Sequence, residues 1–355
     1  KKIIYIWMLK NAKYRRKIWE TSTLSARVIS WILNVDIILK NSTFEFKRNF
    51  LGSIISQTNH LKKNVKFEKD LAKKIRILTA ISLTGLVFKE YEENFKIGIK
   101  ELEKLVKDFF DNNGFPLSRN PGDLYFFTKY LIFNKEIIKD SQKYVPEFLE
   151  DITEKNLNCI NFIKTPNDQL PLFNGASTNK INQIEKYLEN HKPNIKTNIL
   201  GGLYKIKYKN HFLLVDVDKP PQKRFSKSYQ SGPLSFEYFL DGVRIISNTG
   251  FGNNISKKAE LLSRVTACQS TLTINDTSIT NFEKNEMINK VFGNSIQNSF
   301  KSFDFLPRDE DDLIGCAASN NGYEKIFGCI HKREVYVDKR NNLLKGTDHI
   351  FKARD

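Results

Sequence analysis

The hydrophobic period changes once along this chain, and that change restricts the fold more than any other feature. Up to about residue 162 apolar residues recur at helical spacing. Leu71, Ile75, Leu78 and Ile81 share one stripe, and Leu102, Leu105, Val106 and Phe109 fall at i, i+3, i+4 and i+7, with Glu103 and Lys107 paired on the other side. From Leu203 the pattern alternates: Leu203 to Tyr208, a Lys209-Asn210 turn, then His211 to Val217. Between the two regimes Thr178 to Thr197 is polar and charged and reads as a linker. A chain of 355 residues has room for two domains. The expectation is a helical domain over 1–190 followed by an antiparallel β domain over 195–355.

Within the first region, Thr21 or Ser22 can cap a helix through Val28, Trp31 and Ile32, and further helices are expected over about 50–64, 67–88 and 145–162. Gly114-Phe115-Pro116 interrupts the pattern, and the loop Leu117 to Asp123 leads into a helix through Tyr125 and Phe126. In that loop Arg119 carries a bidentate fork and Asn120 an amide donor, a pair suited to a sugar carboxylate. The same residues also fit a plain helix start, with Asn120 or Asp123 as cap and Arg119 in solvent.

The second region holds the stretch that reads most clearly as a site. Leu234, Phe236 and Phe239 form one arm, Asp241-Gly242 a turn, and Val243, Ile245 and Ile246 the other, which predicts a tight hairpin. Thr271 to Ile274 reads as a third strand. Tyr229, Gln230 and Ser231 precede the first arm, Asn248 follows the second and Gln269 precedes the third, so five polar side chains converge at strand ends. Asn281 to Ser302 is polar and reads as loop with short edge strands. Tyr323 to Ile330 and Arg333 to Val337 read as later strands, and further strands are expected beyond Phe351.

Composition limits the classes of function. The excess of 57 Lys and Arg over 40 Asp and Glu gives +17, which favours an anionic partner, whether acidic glycan, nucleic acid or acidic membrane. The lysines are spread along the whole chain, which a general compositional bias also produces. No apolar run approaches the roughly 20 residues that span a bilayer. The four cysteines, Cys159, Cys268, Cys316 and Cys329, include no C-x-x-C pair, which excludes a zinc ribbon. Zinc-finger spacing, an aromatic RNP-like strand and a recognition helix are also missing, so nucleic-acid binding is a remote alternative. The chain starts at Lys1 instead of Met, so an upstream segment that would carry targeting is expected.

The order of motifs resembles the C-terminal domain of the heparinase II/III family of polysaccharide lyases. That family writes a His-Ala-His-Ala segment, a Leu-x-Phe-Glu strand, an Asp-Pro-Gly turn and an Arg-x-Thr-x-x-His-Asn/Ser-Thr-Leu segment. Here stand Leu234-Ser235-Phe236-Glu237, Asn248-Thr249-Gly250 and Arg264-Val265-Thr266-Ala267-Cys268-Gln269-Ser270-Thr271-Leu272. Trp19, Arg27 and Trp31, the segment Pro171 to Ala176 with Asn174, and His331 also match family positions. The resemblance implies an incomplete α/α toroid followed by a β-sandwich, and a periplasmic or cell-surface location. It also implies a zinc ion held by His, Asp and His, at positions that here carry Gln230, Asn248 and Gln269. Amides are poor zinc ligands, so no metal and no cofactor is expected, and a hydrogen-bonded amide cluster takes the ion's place.

Catalytic positions of the family are replaced as well. Its Asn-His pair falls on Lys69-Asp70, with His60 nearby on the preceding helix, and its Tyr falls on Asp123, two residues before Tyr125. The function implied is a lyase acting by β-elimination on an acidic, uronate-containing glycan of the glycosaminoglycan or alginate kind. The alternative is a silent glycan-binding relative. Elimination needs the carboxylate neutralised, a base and an acid. Arg119, Asn120 and Arg264 are the candidates for the first, with Asn174 and Gln269 as further contacts. Tyr229, supported by Gln230, is the candidate base and acid, and Tyr125 is second. The Arg119-Asn120 loop and the Tyr229-Gln230 segment are expected to face each other across a cleft, about 5 to 10 Å apart.

Overall fold

The computed structural model describes residues 1–177 and 181–353; the first residues of the expected linker, 178–180, lie outside them. Helices come first: α1 (Lys2–Asn11), α2 (Thr21–Leu33), α3 (Val35–Leu39), α4 (Phe44–Asn64), α5 (Leu71–Val87), α6 (Glu92–Phe109), α7 (Pro121–Asp140), α8 (Glu147–Ile163) and α9 (Glu185–Asn190). Antiparallel sheet follows from Ile199. The chain forms two compact units, residues 1–108 with 126–153 and residues 109–125 with 154–355. The loop that carries Arg119 and the end of α8 therefore belong to the same unit as the sheets.

In the helical unit, α2, α4 and α5 pack on one another through Leu24, Val28, Phe50, Ile54, Ile75, Leu78 and Ile81, all fully buried. The helix starts follow from side-chain caps. Thr43 accepts from the Phe46 N–H at the start of α4. At α5, Asp70 accepts from the Ala72 and Lys73 N–H groups, so this residue serves as a helix cap. At α2 the cap is Glu20, not Thr21 or Ser22, because its carboxylate accepts from the Thr23 N–H while also pairing with Lys73 at 2.9 Å. Trp31 is buried between Trp7 and Phe50. Arg27 stacks 4.1 Å over Trp7 and donates to Gln57, which is a structural setting. The His60 ring lies against those of Tyr14 and Trp19.

In the other unit, β1 (Ile199–Leu200), β2 (Leu203–Tyr208), β3 (His211–Asp216), β4 (Phe236–Leu240) and β5 (Val243–Ile246) form a sheet in sequence order. After α10 (Lys257–Leu262) come β6 (Asn281–Phe282), α11 (Glu286–Phe292) and β7 (Ile296–Asn298), in which β6 pairs with β7. Then β8 (Phe303–Asp309), β9 (Leu313–Asn320), α12 (Glu324–Phe327), β10 (Cys329–Asp338) and β11 (Leu343–Lys352) build a second sheet ordered β11-β10-β9-β8. Tyr204, Ile206, Leu213, Val215 and Tyr238 of the first sheet share one core with Cys316, Val335 and Val337 of the second, so the two sheets form a sandwich.

The Asp241-Gly242 hairpin is present, and both turn residues have positive φ (50° and 79°), which matches the right-handed twist of the arms. Thr271 to Ile274, by contrast, is not a strand. Side chains take the places that a ladder would fill: Ser270 Oγ accepts from Phe236 N–H and donates to Phe236 C=O, and the Thr271 hydroxyl donates to Pro233 C=O. Only an isolated bridge, Ile274 with Thr277, remains there. The region 281–302 contains α11 between its two short strands, and the strand expected over Tyr323 to Ile330 is instead α12 (Glu324–Phe327) followed by the start of β10, which runs unbroken through His331 and Lys332.

Candidate functional site

The candidate residues lie on four segments of the sheet-bearing unit: the loop before α7, the turn at Asn174-Gly175, the coil Ser226 to Ser231 before β4, and the stretch Asn248 to Gln269 after β5. Arg264 holds the third of these in place. Its side chain is fully buried, and it donates from Nε to Tyr229 C=O at 2.8 Å, from Nη2 to Ser226 C=O at 3.0 Å and from Nη1 to Asn294 C=O. The guanidinium sits 3.8 Å from the Phe282 ring centroid, and burial lowers its pKa to about 10. Tyr229 and Gln230 are thereby fixed by an arginine whose donors meet the protein's own carbonyls.

Arg119 is spoken for in the same way. It adopts a left-handed φ of 56°, and its guanidinium donates to the carbonyls of Gly201, Gly202, Asp218 and Lys219 and to the Asp216 carboxylate. Both members of the ion pair are buried, at 8% and 2% side-chain exposure. The sequence expectation of a fork presented to a sugar carboxylate meets an arginine that already holds one. Asp216, the last residue of β3, carried no motif that marked it.

The Arg119-Asn120 loop and the Tyr229-Gln230 segment do come together, in direct contact. Asn120 Nδ2 donates to Ser228 Oγ at 3.2 Å while its Oδ1 accepts from Gly122 N–H at 2.7 Å as the α7 cap. Asn174, at φ 52°, donates to Arg119 C=O, and Ser228 donates back to Asn174 C=O. The expected gap of one sugar is closed by Ser228, a second residue that the sequence reading passed over. Its neighbour explains part of this closeness, since a Cβ at Gly175 would lie 2.5 Å from Ser228.

Tyr229 is 1% exposed, and its hydroxyl has no hydrogen-bond partner. Burial pushes the phenol well above its ordinary range, reinforced by the Asp216 carboxylate and opposed by Arg119. A base needs the opposite shift. Tyr125 is also buried; its hydroxyl accepts from Gln183 N–H at 3.3 Å, and burial raises its pKa too.

The three amides form a cluster wired to backbone. Gln230 accepts from Gly175 N–H at 2.9 Å and donates to Gly250 and Ser263 carbonyls; Gln269 donates to the same Ser263 carbonyl at 2.8 Å. Asn248 accepts from Ser270 N–H and hydroxyl. Gln230 and Gln269 thus turn hydrogens, not lone pairs, on a shared acceptor, and the amide oxygens of Gln230 and Asn248 are occupied. This donor set does not fit a zinc ion. Beside it Glu237 is fully buried on β4. It accepts from Leu172 N–H, lies 3.8 Å from Arg244, and is raised by burial to about 7.

The heparinase II/III-like C-terminal family matches residues 195–355. Among solved structures, a heparinase III aligns over 99% of this chain and 58% of its own, with a TM-score of 0.75 at 15% identity. A mutant heparan sulfate lyase of Pedobacter heparinus aligns over 96% and 56%, with a TM-score of 0.68 at 17% identity. A further heparinase III aligns over 99% and 60%, with a TM-score of 0.72 at 15% identity. The chain spans less than two thirds of the length of each, and at these identities the likeness is one of fold. No curated protein matches the sequence. Residues 195–355 thus match the heparinase II/III-like C-terminal family, and the fold of these solved structures is shared along nearly all of the chain.

Proposed function

We propose that the protein engages an acidic, uronate-containing glycan on a polysaccharide-lyase scaffold, and that the set Arg119, Tyr229, Gln230, Arg264 and Gln269 frames the site instead of performing elimination. The observation that carries this reading is the state of the two arginines. Each meets its donors' needs inside the protein, so neither is available to neutralise a substrate carboxylate without breaking a buried network. Affinity for a polyanion then comes from the surface lysines behind the +17 charge.

One observation favours a second reading, in which elimination survives. The Tyr229 hydroxyl is the unpartnered polar atom of the set and lies in the field of Arg119, so it has a proton and an acceptor site to offer a sugar that reaches it. A panel of acidic polysaccharides separates the two, with binding followed by affinity electrophoresis and unsaturated uronate followed by its ultraviolet absorbance. Binding without product supports the first reading. Product that vanishes in Tyr229→Phe supports the second, and a lack of binding to every uronate polymer overturns both.

A further inference from the structure

At the first helix of the helical unit, apolar side chains face solvent. α1 is ten residues long, about 15 Å at a rise of about 1.5 Å per residue. Its inner side carries Met8, which is buried, and Trp7, whose ring lies 5.3 Å from that of Trp31. Its outer side carries Ile3, Ile6 and Leu9 at i, i+3 and i+6, with Ile3 83% and Leu9 65% exposed. The start of α1 meets the turn between α3 and α4, where Lys1 Nζ donates to Lys40 C=O and the Tyr5 and Phe46 rings stand 6.3 Å apart. That part of the fold adds Ile37 and Phe44, 74% and 79% exposed. Apolar residues scattered singly over a surface are ordinary, whereas a group of this kind on adjoining elements marks an interaction surface.

Charge decides what fits it. Seven of the first 17 residues are Lys or Arg, all of them exposed, and the first acidic residue is Glu20, which pairs with Lys73. Lys2 and Lys10 stand four residues to either side of Ile6, so the apolar stripe and these two cations share the outer face of α1. Lys13, Arg15, Arg16 and Lys17 follow where the helix ends. At the adjoining turn the acids Asp36 and Glu45 are outnumbered by Lys40, Lys47 and Arg48. A soluble polyanion would neutralise these cations and leave the stripe in water, and an apolar protein face would cover the stripe and leave the cations unpaired. A layer of anionic headgroups over acyl chains meets both needs.

We propose that α1 and the basic segment after it dock the protein on an anionic phospholipid surface. Ile3, Ile6 and Leu9 enter the boundary between headgroups and acyl chains, and the surrounding cations meet the phosphates. The stems of Lys2 and Lys10 lie along the same apolar boundary while their ammonium groups reach outward. Tyr5 and the exposed Tyr14 add rings whose apolar body and polar tip suit that depth. With ten residues α1 is too short to cross a bilayer, so it lies in the plane of the interface.

The test floats the whole chain with vesicles of phosphatidylglycerol and phosphatidylcholine in equal parts, and with vesicles of phosphatidylcholine alone. At about 50 mM salt the mixed vesicles should bind about tenfold more strongly than the neutral ones, and about 500 mM salt should remove most of that difference. Ile3→Ser with Leu9→Ser changes two exposed side chains and no charge, so the unfolding midpoint should stay in place while binding to mixed vesicles falls about tenfold. Absence of binding to mixed vesicles, equal binding to neutral ones, or unchanged binding of this double variant overturns the proposal. A concentration-dependent dimer in lipid-free sedimentation that the double variant abolishes would assign the face to a second copy of the chain and overturn it as well. Loss of acidic-polysaccharide binding in the double variant, with vesicle binding retained, would give the face to a glycan instead, with the same consequence.

Discussion

Replacing Arg119 by alanine separates a structural arginine from a ligand contact. The substitution removes five donors at once and strands the Asp216 carboxylate, which keeps only a long contact of 3.4 Å from Asp218 N–H. Breaking a buried ion pair by deleting one partner costs about 3–5 kcal/mol. For a unit of this size that is a fall of roughly 10 °C in the unfolding midpoint. The turns at Gly202 and Lys219 lose their tie as well, so the loss should appear in calorimetry and in hydrogen exchange there. Arg119→Met with Asp216→Asn, which leaves no unpaired charge, should recover most of the stability. If Arg119→Ala unfolds within about 1 kcal/mol of the parent and yet loses glycan binding, the arginine faces ligand and the structural argument is wrong.

Glu237 supplies a pH prediction. Its folded pKa, about 7 against 4.5, is raised by burial, so the stability it confers is present below pH 4.5 and is lost as pH rises through 7. Between pH 5 and 8 the parent should lose about 2–3 kcal/mol more than Glu237→Gln does in urea unfolding, and parallel curves would refute this. Tyr229→Phe deletes an unpartnered buried hydroxyl, so its stability should stay within about 0.5 kcal/mol of the parent or rise. Gln230→Ala removes the acceptor of the Gly175 N–H and the amide donor to the Gly250 carbonyl, while the Ser263 carbonyl keeps Gln269, and should cost about 2–3 kcal/mol. Dialysis against a chelator should leave the midpoint of the parent unchanged, whereas a chelator-dependent fall would restore a metal to this site.

The fold was legible because period and turn chemistry are local. Stripes such as Leu71, Ile75, Leu78 and Ile81 need only their own helix to be recognised, and Asp241-Gly242 announces its hairpin through two residues that tolerate positive φ. The third strand was misread for a related reason: Thr271 to Ile274 has strand-like residues, but the hydroxyls of Ser270 and Thr271 compete for the carbonyls that a ladder would use, and only the tertiary neighbours Phe236 and Pro233 reveal that they win. At the site, sequence identified which residues assemble but not which way their donors point. Arg119 and Asp216 are separated by 97 positions, and nothing local to either marks the other as its partner. An arginine with a carboxylate already in place is chemically opposite to one awaiting a substrate, although both read as the same letter in the same loop. The three neutral amides Gln230, Asn248 and Gln269 follow the same logic on a larger scale. Gln230 both accepts and donates and shares the Ser263 carbonyl with Gln269, while Asn248 accepts from Ser270, so the three amides are tied to neighbouring groups without bringing a charge of their own.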